Sequence, residues 1–401
     1  MVRLIPRNPF PHPFSELARA CIPRIPDPAP IERFLELTGR DHGFFTQSAR
    51  KAFFLILNSL LRAGDEIILP AFTCNVLVGP LLKSNVTPIF ADVSRTSLNM
   101  ELKHLECLVT DRTRAVVMTH QFGFPADAAA IVDFCRRKEL LLIEDAAPAL
   151  GVSVQGRPTG SWGDVAIFSF ERSKVASMLH GGLLVGREDL VRKIKSRTRL
   201  SQKRSSFAEV CRAFFQHCAL NDLFYRQTFL IWRLWNKNIS LANQWQPDLD
   251  DYILEHDGLS DFQKRLGGAQ LSRLGQILQT RREAAVMFSE VFSDFASCTV
   301  PQTSGPAQAH SYSRFPVLLQ NADGRAFDKR YVHQIGVRHG IDLGFTFSYK
   351  MSSYFPHTRG QNFKNTDWII ERIYNVPIHP NPEINHRTAR SLRTICSELF
   401  S

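Results

Sequence analysis

The 401-residue sequence lacks the long apolar runs of a membrane protein. No stretch supplies the roughly twenty consecutive apolar residues that a membrane-spanning helix needs. Prolines interrupt residues 1–33 every few positions, so this region has no apolar segment of the kind found in signal peptides. The sequence has no internal repeat and no low-complexity tract. We therefore expect an ordinary globular protein, long enough for two domains or a two-lobed unit.

Metal-binding and nucleic-acid-binding patterns are also missing. The eight cysteines are scattered, with no zinc-like spacing of cysteine and histidine, and we predict no metal site. In a chain of this length, scattered cysteines are typical of reduced, mostly buried thiols in a cytoplasmic protein. No helix-turn-helix signature or RNP-like aromatic motif is present, so nucleic acid is the least favoured partner.

Acidic residues are fewer than basic ones, and the formal net charge is +11. Such an excess favours an anionic partner, either a nucleotide-linked substrate or an anionic lipid surface. Many basic residues lie in the predicted helix at 188–204. A solvated helix face is the simpler interpretation, and a patch that binds a pyrophosphate or an anionic membrane is the alternative.

The stretch from Leu140 to Gly186 carries the strongest signal for a functional site. An apolar run long enough for a buried strand ends at Glu144 and Asp145. A second run, Val165 to Phe170, leads into a polar turn that contains Lys174, and a third follows a glycine pair. Because α/β proteins bind ligands at the carboxyl ends of parallel strands, this carboxylate and this lysine predict a site at the rim of a sheet.

The order EDAA, then G-D-x-x-x-F-S-F-x-x-x-K, then a glycine pair resembles the DegT/DnrJ/EryC1/StrS sugar aminotransferases. The resemblance implies pyridoxal 5′-phosphate as cofactor, held as a Schiff base by Lys174. It implies that Asp145 pairs with the protonated pyridine nitrogen, which keeps the ring an electron sink, and that Ser169 contacts the phosphate. Taken singly, a surface lysine or a helix-capping acid would be the simpler interpretation. The ordered set favours the cofactor site.

A polar turn at 46–48 precedes an apolar-rich helix that is predicted to begin near Ala49. Relatives carry a small-residue turn here, whose backbone amides hold the cofactor phosphate at the positive end of the helix dipole. By resemblance, Ser48, Ala49, Arg50 and Lys51 fill these positions. An ordinary helix start is the alternative.

The resemblance assigns three further residues to the cofactor site. The segment HQFGFPAD is similar to a family motif, and its His120 is predicted either to lie over the cofactor or to cap its strand. Cys74 occupies the position of an aromatic residue that commonly stacks on the ring. His256 matches an asparagine that a partner subunit often contributes to the phosphate site, which implies a homodimer with shared sites.

Other positions depart from the family pattern. Pro148 stands where relatives have Gln or His reaching the ring hydroxyl, His180 where they often have Glu, and Val175 where they usually have Asn. These departures weaken the inference about the substrate more than the inference about the cofactor.

Alternating strands and helices between residues 64 and 186 predict right-handed parallel crossovers and an open α/β sheet. The resemblance implies an α/β protein of fold type I, the aspartate aminotransferase fold of pyridoxal-phosphate-dependent transferases. We expect a large domain with a mostly parallel seven-stranded sheet flanked by helices, and a smaller C-terminal α/β domain. The predicted division is a proline-rich extended arm (1–33), the large domain (34–257) and linker helices with the small domain (258–401).

Residues 205–250 are the part least similar to the family and form an aromatic and basic insertion. An ordinary core or subunit interface is one interpretation of this composition. An interfacial helix pair on an anionic membrane is the other, because Trp, Phe and basic residues suit that boundary. A lipid-linked sugar substrate would account for the second interpretation.

The predicted function is transfer of an amino group, from glutamate, to a nucleotide- or lipid-linked keto-sugar in polysaccharide or glycoconjugate biosynthesis. Lys174 would act as general base and then acid once the donor displaces it. One alternative is a catalytically divergent homologue with a regulatory or membrane-docked role. Another is a cofactor-dependent sugar dehydratase, although relatives of that kind replace the lysine with histidine. The predicted location is the cytoplasm, with peripheral contact at the inner face of the membrane.

Overall fold

The computed structural model describes residues 3–22, 30–198, 205–235, 258–302, 310–347, 349–356 and 362–401. The helices are α1 Phe14–Ala20, α2 Pro30–Thr38, α3 Ala49–Leu60, α4 Val78–Lys83, α5 Leu102–Glu106, α6 Ala128–Arg137, α7 Glu188–Ser196, α8 Phe207–Ala219, α9 Tyr225–Trp235, α10 Asp261–Ser272, α11 Leu274–Ser293, α12 Lys329–Arg338, α13 Lys364–Arg372 and α14 Pro382–Phe400. The strands are β1 Gly43–Thr46, β2 Glu66–Pro70, β3 Thr87–Ala91, β4 Thr113–Thr119, β5 Leu141–Asp145, β6 Ser153–Val154, β7 Arg157–Pro158, β8 Val165–Ser169, β9 Gly182–Gly186, β10 Cys298–Thr299, β11 Phe315–Leu319 and β12 Ile373–Val376.

Within the described residues, a seven-stranded sheet has the order β1-β9-β8-β5-β4-β2-β3. Strands β8, β5, β4, β2 and β3 run parallel, while β9 is antiparallel to both β8 and β1. The central strands are almost wholly apolar because helices cover both faces of a parallel sheet. The predicted mostly parallel seven-stranded α/β sheet is thus confirmed.

The register of the sheet brings the ends of three strands together. Asp145 at the end of β5 pairs with Thr119 at the end of β4 and with Ile167 of β8. Ser169 ends β8 opposite Gly182 of β9. The residues that follow these strands therefore share one edge of the sheet, where the predicted site lies.

A second, antiparallel sheet has the order β10-β11-β12. Its core contains Phe288, Phe292, Phe315 and Tyr374, all buried, and helices α11, α12 and α14 contribute to the same cluster. This sheet lies in the region predicted to form the smaller domain. The division between the domains stays a prediction, since residues 236–257 lie outside the described part of the chain.

The start of the N-terminal arm contacts the smaller sheet unit. Ile5 forms a parallel bridge with Ile341, and the Arg7 guanidinium lies 2.7 Å from the Asp342 carboxylate. The prolines predict extended chain throughout the arm, but the structure contains helix α1. The proline Pro13 is its N-cap residue, and a missing N–H group costs little at a helix start.

All eight cysteines are free thiols, but only Cys135 and Cys396 are buried. The prediction of mostly buried thiols is therefore wrong, since Cys21, Cys107, Cys211 and Cys218 are exposed on helices or at their ends. Among the described residues, no helix combines the length and the apolar composition needed to cross a bilayer.

Candidate active site

Asp145 is held at the carboxyl end of β5 with its side chain buried. Its carboxylate accepts hydrogen bonds from the Thr119 hydroxyl at 3.5 Å and the Ala147 amide at 3.1 Å. Burial raises the pKa of Asp145, and this effect outweighs the opposing charge of Lys174 and the bond from Ala147. A carboxylate in this setting is suited to a cationic group that a ligand brings.

Lys174 lies half-buried in the turn between β8 and β9, where its backbone amide donates to the Glu171 carbonyl at 3.0 Å. Within the described part of the chain, no residue hydrogen-bonds the Lys174 amine. The amine acts electrostatically on the carboxylates of Asp145 and Glu171. The fold therefore brings together the two residues that the sequence assigns to catalysis, and it leaves the amine available.

His120 lies beside Glu144, which points to the sheet face opposite Asp145. Its Nδ1 accepts a hydrogen bond from the Ala126 amide at 3.0 Å, so the proton lies on Nε2, which donates to Glu144 at 3.1 Å. Both ring nitrogens are therefore engaged away from Asp145. The two predicted roles of His120, over the cofactor or as a cap of its strand, both stay predictions.

Glu144 anchors the loop beneath the site. Its carboxylate accepts backbone hydrogen bonds of 2.6–2.9 Å from Gly160, Trp162 and Gly163, in addition to that from His120. Burial pushes the pKa of Glu144 upward, but the His120 contact and the backbone donors outweigh it, and the pKa is lowered. The two neighbouring carboxylates thus differ in the direction of their pKa shift, because Glu144 accepts more hydrogen bonds than Asp145 does.

Residues 48–51 at the start of α3 pack against Gly182 of β9, and we call this arrangement the cradle. Ser48 is the N-cap of α3, and its hydroxyl accepts from the Lys51 amide at 3.1 Å. A Cβ atom on Gly182 would lie 2.4 Å from the Ser48 carbonyl carbon and 2.5 Å from the Ala49 nitrogen. Only glycine permits this close approach, which sets the start of α3 beside Ser169, the partner of Gly182 in β8.

Polar groups of this cradle suit an anion. The first-turn amides of a helix have no carbonyl acceptor four residues earlier, and the helix dipole is positive there. Ser169 is half-buried at the adjoining strand end. Arg50 and Lys51 lie on the first turn, and the Lys51 amine lies 5.8 Å from the Phe54 ring centroid.

Cys74 lies beside an aromatic residue from a distant part of the chain. The Tyr349 hydroxyl accepts a hydrogen bond from the Asn75 amide at 2.7 Å and contacts the Cys74 thiol. Burial, with the neighbouring Cys74, raises the pKa of Tyr349 well above its ordinary value. Sequence reasoning misses Tyr349 because no local motif links it to residue 74.

The other departures from the family pattern are built into the fold. The Pro148 carbonyl accepts a hydrogen bond of 2.7 Å from the buried Ser311 hydroxyl. Val175 is buried, and a ring nitrogen of His180 lies 3.0 Å from the Gln263 side-chain amide. His256 lies outside the described residues.

The sequence also gives no signal for three polar groups near the site. Thr119 reaches Asp145 only through the register of β4 and β5. Arg281 and Arg314 come from α11 and from the chain just before β11, and they line a cavity beside the turn that carries Lys174. The positions of these two arginines depend on how the two sheet units pack together, which the sequence does not show.

The sequence profile of the DegT/DnrJ/EryC1/StrS aminotransferase family matches residues 31–213 and 251–390. A curated relative, dTDP-4-dehydro-2,3,6-trideoxy-D-glucose 4-aminotransferase of Saccharopolyspora spinosa, is 28% identical over 276 residues, which make up 69% of this chain. The chain spans 65% of that relative's length.

Two solved structures share the fold. The first is Helicobacter pylori PseC, an aminotransferase involved in the biosynthesis of pseudoaminic acid. It has a TM-score of 0.77 at 18% identity, covering 99% of this chain and 100% of PseC. The second is the PMP form of Spr1654, a putative sugar aminotransferase of Streptococcus pneumoniae. Its TM-score is 0.76 at 18% identity, with the same coverage of 99% and 100%.

Proposed function

The chain belongs to the DegT/DnrJ/EryC1/StrS aminotransferase family, and from that premise we propose that it transfers an amino group from glutamate to a keto-sugar. The sugar is carried on a nucleotide or a lipid and enters a polysaccharide or glycoconjugate. Pyridoxal 5′-phosphate is the cofactor of the family. The observation that carries the proposal is the pairing of buried Asp145 with the available amine of Lys174 at one edge of the sheet.

The residues present fit this cofactor. A buried carboxylate with a raised pKa needs a cation, and a protonated pyridine nitrogen supplies one. The cradle that Gly182 permits at the start of α3 suits a phosphate. Asp145 would therefore hold the ring nitrogen, Ser169 and residues 48–51 would hold the phosphate, and Lys174 would hold the aldehyde carbon.

When bound, the cofactor supplies an aldehyde that reacts with amines and a ring that withdraws electrons from the bond being broken. Lys174 would act as the base that takes the proton from Cα of the amino donor and as the acid that delivers it to the aldehyde carbon of the bound cofactor. Asp145 would keep a proton on the ring nitrogen. The buried side chains of Phe170 and Val175, on either side of the Lys174 turn, limit access of water to these proton transfers.

The substrate class is supported by the similar enzymes and by charge. The S. spinosa relative is named for a dTDP-linked deoxysugar, and PseC is involved in the biosynthesis of pseudoaminic acid. The net charge of +11 suits an anionic, nucleotide-linked substrate. A nucleotide-linked 4-keto-sugar is therefore the first substrate to test.

We also propose a cytoplasmic homodimer that contacts anionic membranes peripherally. The free thiols are those expected in a reducing compartment. Apolar side chains of α8, α9 and their connection are exposed, as a surface that meets a partner or a bilayer would be. They are Phe207, Phe215, Leu223, Phe224, Leu230 and Ile231.

The test is direct amination with labelled donor. Purified protein, pyridoxal phosphate and ¹⁵N-glutamate are incubated with a panel of nucleotide-linked keto-sugars, and mass spectrometry follows the label. We expect ¹⁵N in an amino sugar and an equal amount of 2-oxoglutarate, both lost in Lys174→Ala but retained in Lys193→Ala, a surface control. Cofactor binding without transfer to any keto-sugar would favour the catalytically divergent homologue. Deletion of the gene should make the unaminated precursor accumulate.

A further inference from the structure

The turn that carries Lys174 ends where the cradle begins. This Lys174 turn, residues 170–181, is closed by the Phe170 amide, which donates a hydrogen bond of 2.9 Å to the Gly181 carbonyl. The next residue is Gly182, which packs against the start of α3. The conformation of the turn therefore affects both the amine that would hold the cofactor aldehyde and the backbone that would hold the cofactor phosphate.

The second half of the Lys174 turn has an unfavourable backbone conformation. Leu179 has a φ of +68°, in the left-handed region that residues other than glycine rarely adopt. Within the turn, the Ser177 hydroxyl accepts a hydrogen bond of 3.0 Å from the Leu179 amide. A conformation of this kind persists only where the surrounding structure holds it, and here the surrounding contacts come from α10 and α8.

Gln263 of α10 is buried and binds the Lys174 turn through its side-chain amide. Its NH₂ group donates to the Met178 carbonyl at 3.1 Å and to the His180 carbonyl at 2.9 Å. The same NH₂ group lies 3.0 Å from Nδ1 of the His180 ring, so its two N–H groups are shared among three acceptors. Because Nδ1 accepts, the proton of a neutral His180 ring lies on Nε2.

Glu209 of α8 faces that nitrogen. Its Oε1 lies 3.7 Å from Nε2 of His180, which is within ion-pair distance. The Glu209 carboxylate is buried, whereas the His180 side chain is 42% exposed. The second carboxylate oxygen of Glu209 accepts a hydrogen bond of 2.7 Å from the hydroxyl of Ser260, the N-cap residue of α10. One chain of contacts therefore joins α8, α10 and the Lys174 turn.

The pair connects two departures from the family pattern that the sequence does not link. His180 stands where relatives often have Glu, and Glu209 lies in the insertion, the part of the chain least similar to the family. A glutamate at position 180 would place two carboxylates side by side, because Glu209 is already buried there. The imidazole of His180 therefore suits the carboxylate that the insertion brings.

We propose that His180 and Glu209 form a pair that positions the Lys174 turn and the cradle for the cofactor, so that helix α8 of the insertion takes part in building the cofactor site. This inference rests on the cofactor assigned under the proposed function. His180 and Glu209 are positioning residues, because they act on the cofactor through the backbone of the turn. The pair therefore affects cofactor affinity, and it also affects the order of the turn when no cofactor is bound.

Fluorescence titration with pyridoxal phosphate tests the pair through its charges. Glu209→Gln removes the negative charge and should weaken cofactor binding about 3- to 10-fold. His180→Glu places two carboxylates together and should weaken binding at least about 10-fold. The double variant His180→Glu, Glu209→His restores opposite charges and should bind the cofactor within about 3-fold of wild type. Two residues that each stabilised the fold independently would show no such rescue.

Arg212→Gln is the matched control, because Arg212 is an exposed charge on the same helix α8. This variant should bind pyridoxal phosphate as wild type does. Hydrogen exchange in the cofactor-free protein gives a second readout that does not depend on the cofactor. The Phe170 and Met178 amides, which form hydrogen bonds within the turn, should exchange faster in Glu209→Gln but not in Arg212→Gln.

Normal cofactor affinity in His180→Glu, or a folded double variant that binds no better than His180→Glu, overturns the proposal. If these variants do not fold, His180→Gln decides, because this side chain is partly exposed and glutamine cannot pair as a cation. His180→Gln should weaken binding about 3-fold, and unchanged affinity would overturn the proposal. Wild-type protein that binds no pyridoxal phosphate would disprove this proposal and the proposed function together. Cofactor binding without amino transfer would disprove the proposed function alone.

Discussion

At the scale of single residues, Glu144 and Asp145 show how environment gives two adjacent acids different roles. The four donors around Glu144 outweigh its burial and lower its pKa, whereas burial prevails at Asp145 and raises its pKa. Pairs of acids whose environments push their pKa values apart often mark a division of labour. Glu144 stabilises the fold, and Asp145 is suited to pair with a cationic group that a ligand brings.

The raised pKa of Asp145 predicts the effect of Asp145→Asn on stability. The protonated form of Asp145 is favoured in the folded protein, so Asp145 contributes to the free energy of unfolding below its ordinary pKa of 3.8. That contribution is lost as the pH rises through the folded-state pKa. Above that value the folded protein bears an ionised buried carboxylate. At pH 7, cofactor-free Asp145→Asn should melt roughly 1–3 °C higher than wild type, with the gain shrinking toward pH 4.

Turnover in the same variant should fall by at least about 100-fold, because the ring nitrogen loses its charged partner. Thermal melting at pH 7 and pH 4, together with glutamate turnover, tests both parts. A variant that melts lower than wild type at both pH values would show that Asp145 is a structural acid.

Local motifs single out Asp145, Lys174 and Ser169, because Asp145 and Ser169 end the paired strands β5 and β8 and Lys174 lies in the turn that follows β8. Thr119, Tyr349 and Arg314 could not be predicted in this way. Their positions depend on strand register and on packing between sheet units, which no spacing in the sequence encodes. His120 was ambiguous because the sequence does not show which face of the sheet carries its acceptor.

At the scale of elements, Glu144 holds β5, the end of β4 and the loop at Gly160–Gly163 in one arrangement. Glu144→Gln replaces a carboxylate oxygen that accepts hydrogen bonds with an NH₂ group that donates them. That NH₂ group would then face the N–H donors that surround Glu144 in the wild-type protein. We expect a loss of about 2–4 kcal/mol in the free energy of unfolding.

The pH dependence provides a second readout for Glu144. Its folded-state pKa is lowered, so the stabilisation is present above the ordinary value of 4.5 and is lost as the pH falls through the folded-state value. The difference between wild type and Glu144→Gln in urea unfolding should therefore shrink at low pH. Exposed Glu106→Gln is the control. Equal unfolding midpoints for wild type and Glu144→Gln at pH 7 would contradict the role given to Glu144.

Gly182 sets the distance between β9 and the start of α3. Gly182→Ala would place a methyl group 2.4–2.5 Å from the Ser48–Ala49 backbone, so the helix start must move. We expect a loss of about 1–3 kcal/mol in stability and weaker binding of pyridoxal phosphate, measured by fluorescence titration. Gly275→Ala is the matched control, because a Cβ there meets nothing within 4 Å. Unchanged cofactor affinity in Gly182→Ala would rule out the cradle as the phosphate site.

The parallel strands β2, β4, β5 and β8 were predictable because buried strands leave uninterrupted apolar runs between helices. The short strands β10 and β12 were not, since their few residues show no period. Helix α1 was missed because prolines that flank a helix are hard to distinguish in the sequence from prolines that break one.

At the scale of the whole molecule, one buried acid joins three distant segments. Asp342 accepts from Arg7 of the arm, from Tyr225 of α9 at 2.6 Å and from His333 at 3.0 Å. Despite its burial, these donors and the Arg7 charge lower the pKa of Asp342 to about 2. The arm and the insertion are thereby fixed to the smaller sheet unit, which presents α8 and α9 on the surface.

The exposed side chains of α8 should mediate membrane contact. Phe207 and Phe215 are 84% and 72% exposed. The double variant Phe207→Ser, Phe215→Ser should sediment less with anionic vesicles than wild type, while Val286→Ser, an exposed site on α11, should not differ from wild type. If the double variant instead becomes monomeric in ultracentrifugation and vesicle binding is unchanged, the surface is a subunit interface and the membrane proposal is wrong.

Lys174 is the residue on which the proposed function depends most. Its amine interacts electrostatically with Asp145 and has no hydrogen-bond partner in the described part of the chain, so it should form the covalent bond to the cofactor aldehyde. The most direct measurement is peptide mapping of holoprotein after reduction with borohydride. We predict one peptide that carries the cofactor permanently on Lys174, and no such peptide from Lys174→Ala, which should still bind the cofactor through its phosphate. Labelling of a different lysine, or normal amino transfer by Lys174→Ala, would contradict the account.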